Sequence, residues 1–157
     1  MAGWAVAEAL RERDPDCPIV LVAHCAADVY PKPQLSSAAA RGKAPEALIT
    51  HSGTEQAARR NISLVAHTRV LEIDRQRQRL ITPRGGLPYG RLVLALGGHQ
   101  PRPALAGNAA ENILQVNNLA DYRRLRARID ALGSARVVIL GAGLIGCEFA
   151  DDLSAAG

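Results

Sequence analysis

The chain is short of aromatic residues, which make up 3% of its 157 positions. It therefore has no aromatic stripe on which bases could stack, and it has no zinc-ligand spacing, so nucleic acid is not an expected partner. Lysine is scarcer still. Lys32 and Lys43 are the only lysines among 19 basic residues, and arginine carries the net charge of +4. A modest positive charge permits an acidic partner without implying nucleic acid. The three cysteines, Cys17, Cys25 and Cys147, form no C-x-x-C and no paired framework, which excludes a disulfide scaffold. Long apolar runs are also missing. The longest uncharged stretches, residues 17–27 and 137–147, are too short to span a bilayer. The opening MAGWAVAEALRERD has no basic segment ahead of its apolar stretch and makes a poor secretory signal, so a cytoplasmic protein is the expectation. What is present, 48% hydrophobic and 22% charged residues, suits a globular chain of ordinary size.

Residues 2–13 are rich in helix formers, with Val6, Ala9 and Leu10 on one face. Asp14-Pro15 should end this helix, because the residue before proline is pushed out of the α region. Residues 18–23 form a continuous apolar run, the pattern of a strand buried on both faces of a parallel sheet. Loop punctuation follows over 28–45. A helix is expected near 45–60 and a short buried strand over 62–66. Residues 68–74 and 79–82 read as short strands, with 83–88 as a turn, so a small antiparallel excursion is expected. The run 91–96 is apolar again, and 100–108 is a linker. An arginine-rich amphipathic helix spans 119–132 and stops at Gly133. A last strand is expected over 135–140, and a last helix from about 144 to 153.

Between that strand and helix stands Gly141-Ala-Gly143-Leu144-Ile145-Gly146. In a G-x-G-x-x-G turn the first glycine allows the tight bend. The second lets the backbone approach a pyrophosphate, and the third lets helix pack closely on strand. The anion sits on the unpaired N–H groups at the helix start. The competing reading is a purely structural strand–turn–helix. The acidic residue that would read the ribose falls past Gly157, so NAD and NADP are not distinguished.

An α/β sheet usually opens on a strand, whereas this chain opens on a helix. Met1-Ala2-Gly3 therefore reads as the end of a second glycine-rich turn. The segments Met1–Trp4, Tyr30–Ser36, His67–Asp74, Tyr89–Gly98, Val116–Tyr122 and Gly141–Ala150 together resemble the FAD-dependent pyridine nucleotide–disulfide oxidoreductase superfamily, most closely its rubredoxin–NAD(+) reductase branch. The family chain is more than twice as long, so the resemblance implies an N-terminally and C-terminally truncated fragment. It also implies an α/β, FAD/NAD(P)-binding Rossmann-like three-layer fold, incomplete, with a small antiparallel β-meander. Residues 1–115 would be the FAD-binding domain without its first strand, and 116–157 the start of the NAD(P)-binding domain. Lacking that strand, the chain by itself is expected to fold poorly or to bind FAD weakly.

The resemblance also implies site residues. Met1, Ala2 and Gly3 would end the FAD pyrophosphate loop. Ala23 and His24 would lie where the FAD ribose sits, and Lys32 and Pro33 beside the flavin. The backbone of Val70 would meet the adenine, and Ala95 and Gly97 belong to a further flavin motif. Gly141, Gly143, Leu144, Ile145 and Gly146 would bind NAD(P)H, and Glu148 would approach the flavin ring. Lys32 and Glu148 are the catalytic candidates, with Lys32 stabilising the reduced ring and Glu148 holding Lys32. The implied activity is hydride transfer from NAD(P)H to FAD and one-electron delivery to an acidic iron–sulfur carrier such as rubredoxin. Arg123, Arg124, Arg126 and Arg128, or Arg75, Arg77 and Arg79, could steer such a carrier.

This sequence departs from the family's disulfide-active members in having no cysteine pair. Cys147 reads as a small packed residue, and no acidic residue follows strand 18–23 before Asp28. His51, His67 and His99 are separated and suggest no metal site. The alternatives are a ferredoxin reductase or nitrite reductase flavin subunit, or a non-catalytic nucleotide-binding remnant.

Overall fold

A computed structural model describes residues 1–102, 104–134 and 136–157. The chain divides into two compact units, one of residues 1–30 with 50–97, the other of 31–49 with 98–157.

The first unit opens on helix α1, Ala2–Arg13, which ends where Asp14 turns extended (φ −142°, ψ 97°) ahead of Pro15. Its buried residues are Trp4 and Ala7 rather than the expected Val6, Ala9 and Leu10. Leu10 is exposed, because the inward face runs Trp4, Ala7, Arg11 at helical spacing. The Arg11 guanidinium donates to the carbonyls of Arg60 and Asn61, which fastens the end of α1 to the end of helix α2 (Gly53–Arg59). Strands β1 (Val20–Val22) and β2 (Ser63–Val65) pair in parallel, Val20 opposite Ser63. Trp4, Ala7, Ala27, Ala57 and Ile62 form the core, with Ile19, Leu21, Ala23, Val29 and Leu64 packed against it. The expected antiparallel excursion is a three-stranded meander of β3 (Glu72–Asp74), β4 (Arg79–Thr82) and β5 (Gly85–Pro88). Its second turn is confined to Pro83-Arg84. The segment read as turn through Pro88 is strand, because pairing with β4 overrides the weak strand preference of Gly85-Gly86.

The helix expected near 45–60 is two pieces. A 3-10 turn covers Pro45–Leu48, and α2 starts only at Gly53. Thr50 donates to the Val29 carbonyl, and Ser52 restarts the helix with a reciprocal capping box to Glu55. Gly53 is required here, since a Cβ would lie 2.0 Å from the Ala26 carbonyl oxygen.

The second unit holds a 3-10 turn at Lys32–Ser36, helix α3 (Leu119–Leu132) and helix α4 (Leu144–Ala155). Tyr122 and Leu48 are its most deeply buried large side chains. Gly133 ends α3 at φ +64°, as expected of a glycine stop.

Two expected strands are not ladder strands. Residues 91–96 and 136–140 are without regular structure, and Val93, Leu94, Leu96, Val138 and Leu140 are exposed. An apolar run becomes a strand only when a neighbour takes its backbone groups, and none does so among the described residues. Ala135, expected to open the last strand, and Pro103, in the linker, lie outside the described residues.

Candidate cofactor site

The glycine-rich turn has the backbone its composition demands. Gly141 sits at φ +112°, a region L side chains avoid. A Cβ on Gly146 would lie 2.3 Å from the Gly141 carbonyl oxygen, so helix start and turn touch backbone to backbone. Gly143 is the N-cap residue of α4 and supplies no side-chain cap, and the first turn holds no acidic residue. A Cβ built there meets nothing within 4 Å. Leu144 and Ile145 are exposed. The first-turn N–H groups, which have no intrahelical acceptor, thus open onto free space. That is a cradle for an anion at a positive helix end, and it fits the diphosphate of a nicotinamide nucleotide.

Helix α1 carries no acidic residue in its first turn. A Cβ on Gly3 would lie at 3.8 Å from Ala95 Cβ and from Leu21 Cδ1, so this glycine brings α1 against β1 and the segment holding Ala95. Ala23 prolongs the parallel pairing, donating to the Val65 carbonyl and accepting from the Thr68 N–H. His24 is exposed in the bend that follows, Val70 is half-buried between β2 and β3, and Gly97 is exposed at φ +76°. These features suit the other diphosphate, that of FAD, at a second helix start.

Lys32 and Glu148 lie in the second unit. Lys32 opens the 3-10 turn, followed by Pro33 at a position where the missing N–H costs nothing. Its ammonium donates to Asn117 Oδ1 at 2.7 Å. Glu148 accepts from the Ser36 hydroxyl at 2.6 Å instead of holding Lys32. One helical turn on, buried Asp152 accepts from the backbone N–H groups of Ala39 (3.1 Å) and Ala40 (2.9 Å). Helix α4 thereby grips the segment that begins with Lys32. Pro33, Ser36, Ser37, Glu148 and Asp151 line an open cavity of about 320 Å³.

Sequence reasoning missed Asn117, Ser36 and Asp152. Asp152 follows Glu148 by four residues, a same-face spacing that could have marked it. Cys147 is exposed rather than packed, with its Sγ 3.7 Å from the Ala142 carbonyl oxygen. Three of the four arginines of α3 are engaged within the unit, Arg123 by Glu46, Arg124 by Asp121 and Arg126 by the Tyr122 hydroxyl. Glu46 is held below the ordinary carboxylate range by its hydrogen bond from backbone N–H and by Arg123. Among the described residues no cluster of His, Cys, Asp and Glu could hold a metal, and no helix is long and apolar enough to cross a membrane.

A glycine-rich turn leading into an uncapped helix start, in a chain that also holds a parallel strand pair, is the pattern of a nucleotide-binding α/β protein. The family profile described as pyridine nucleotide-disulphide oxidoreductase matches residues 1–157. The chain belongs to this family, whose members use FAD and NAD(P)H. It is 38% identical over 163 residues to the rubredoxin-NAD(+) reductase of Acinetobacter baylyi, covering 100% of this chain and 41% of that protein. It is 38% identical over 156 residues to the nitric oxide reductase FlRd-NAD(+) reductase of Aeromonas hydrophila, covering 99% of this chain and 39% of that one. Among solved structures, the ferredoxin reductase for the CYP199A2 system of Rhodopseudomonas palustris superposes with a TM-score of 0.80 at 32% identity, over 95% of this chain and 36% of that one. The chain thus spans about two fifths of the curated relatives it matches.

Proposed function

We propose that the chain supplies the FAD- and NAD(P)H-binding residues of a flavin-dependent reductase. Its electrons would go to a small iron–sulfur carrier of the rubredoxin kind. The observation that carries the reading is the turn Gly141–Gly146, with its backbone contact at Gly146 and uncapped helix start. The relatives named for rubredoxin and ferredoxin support the choice of acceptor class. Bound FAD supplies hydride acceptance from NAD(P)H and release of electrons one at a time. The first-turn N–H groups of α4 bind the nicotinamide nucleotide's diphosphate, and those of α1 bind that of FAD. By cofactor, the division falls near residue 115, with 1–115 serving FAD and 116–157 NAD(P)H. Lys32 offers a cation to the reduced flavin, while Pro33, Ser36 and Glu148 shape the surface beside it. The acceptor is acidic and approaches an arginine-bearing face; a cytoplasmic location suits this chemistry.

The test is anaerobic stopped-flow reduction of the FAD-loaded full-length protein that contains this chain by NADH, then by NADPH, followed by addition of a rubredoxin. Flavin bleaching and carrier reduction are expected, and Lys32→Ala should slow the bleaching step. A full-length protein that takes up neither FAD nor nicotinamide nucleotide overturns the reading.

A further inference from the structure

We propose that Asn117 is the positioning residue for Lys32. It holds the ammonium with a neutral partner, so that the positive charge remains uncompensated for the flavin. This rests on the reading of Lys32 as the flavin-side cation.

Both ends of the Asn117 amide are addressed. Its Oδ1 accepts from Lys32 Nζ at 2.7 Å, and its Nδ2 donates to the Gly98 carbonyl at 2.8 Å. An ammonium can only donate and a carbonyl can only accept, so the amide has one satisfactory orientation. Its backbone is pinned as well, because the Asn117 N–H donates to Asp121 Oδ2 at 3.0 Å. A carboxylate in its place would neutralise Lys32 and turn an oxygen against the Gly98 carbonyl.

Three carboxylates of this unit are held by other groups. Asp121 is bound by Arg124 and the Asn117 N–H, Glu148 by Ser36, and Asp152 by the Ala39 and Ala40 amides. Among the described residues no ion pair includes Lys32. Asn117 thus gives Lys32 direction without cancelling its charge.

Two measurements test this. The first is the flavin midpoint potential of the FAD-loaded protein as wild type, Lys32→Gln, Asn117→Asp and Asn117→Ala. Asn117→Asp should lower the potential by most of the Lys32→Gln shift, and Asn117→Ala by less. In a Lys32→Gln background Asn117→Asp should add little. The second is the ammonium resonance of Lys32 in 15N-lysine-labelled, cofactor-free protein, where two lysines give two signals and Lys43→Arg assigns them. Asn117→Ala should move or broaden the Lys32 signal and leave that of Lys43 in place.

A potential that responds to Lys32→Gln but not to Asn117→Asp overturns the role of Asn117 and leaves the reading of Lys32 standing. A potential that ignores Lys32→Gln overturns the reading of Lys32 and, with it, the electrostatic role of Asn117. A Lys32 resonance indifferent to Asn117→Ala removes the contact itself.

Discussion

Among the described residues, helices α2 and α3 are closed at their N-termini and α4 is open. Ser52 and Asn118 cap α2 and α3 with side-chain oxygens, and each first turn carries an acidic residue. Helix α4 begins at Gly143 with neither. Every helix start exposes N–H groups that require an acceptor. Where the chain supplies the acceptor, the helix start is structural. Where it withholds the acceptor and clears the approach with glycine, the N–H groups are left for a ligand. The open start is the one that the Gly141–Gly146 turn marks.

Closing an open start should break this contrast most severely. Gly143→Asp needs no unusual backbone, since Gly143 sits at φ −77° with space around its Cβ. A capping carboxylate there should stabilise the ligand-free chain by roughly 0.5 kcal/mol. The same charge should weaken nicotinamide nucleotide binding about 100-fold, through like-charge repulsion at the diphosphate. Paired melting and calorimetry would show whether stability and affinity move in opposite directions; a parallel change would end the comparison.

Gly53 tests a closed start. Gly53→Ala drives a Cβ onto the Ala26 carbonyl oxygen and should lower stability by about 1–3 kcal/mol, read by denaturant unfolding. Ser52→Ala should cost about 1 kcal/mol with nucleotide affinity unchanged; altered affinity would contradict a purely structural cap.

The smallest effect concerns pH. The Ser52 backbone N–H, then its hydroxyl, hold the Glu55 carboxyl below its ordinary value of 4.5. A depressed value in the folded state means the capping contribution is fully present above the unfolded value. It is lost as pH falls through the folded value. Glu55→Gln should therefore flatten the acid side of the melting-temperature profile slightly, and an unchanged profile would assign the acid limb to other groups.

Local pattern made much of this legible. Asp14-Pro15 marked the end of α1, Gly133 the end of α3, and the glycine spacing the start of α4. What escaped depended on distant partners. Lys32 and Asn117 are 85 residues apart and Ser36 and Glu148 112 apart, so neither contact leaves a periodic trace. The family resemblance pointed to Glu148 as the partner of Lys32, but the side chain that reaches it is an amide. Apolar runs 91–96 and 136–140 looked like strands because hydrophobicity reports a wish for burial, not the presence of a neighbour. The buried stripe of α1 was misjudged because Trp4 and Ala7, rather than Val6, Ala9 and Leu10, enter the core.

Trp4 has one more consequence. It is the sole tryptophan of the chain, and its indole N–H donates at 2.8 Å to the carbonyl of Ala27, itself held at φ +62°. The next residue, Asp28, accepts the N–H of Gly53. Tryptophan emission therefore arises from a single indole lodged where α1, the β1 loop and α2 meet, one residue past Gly3. Its colour reports the assembly of that corner.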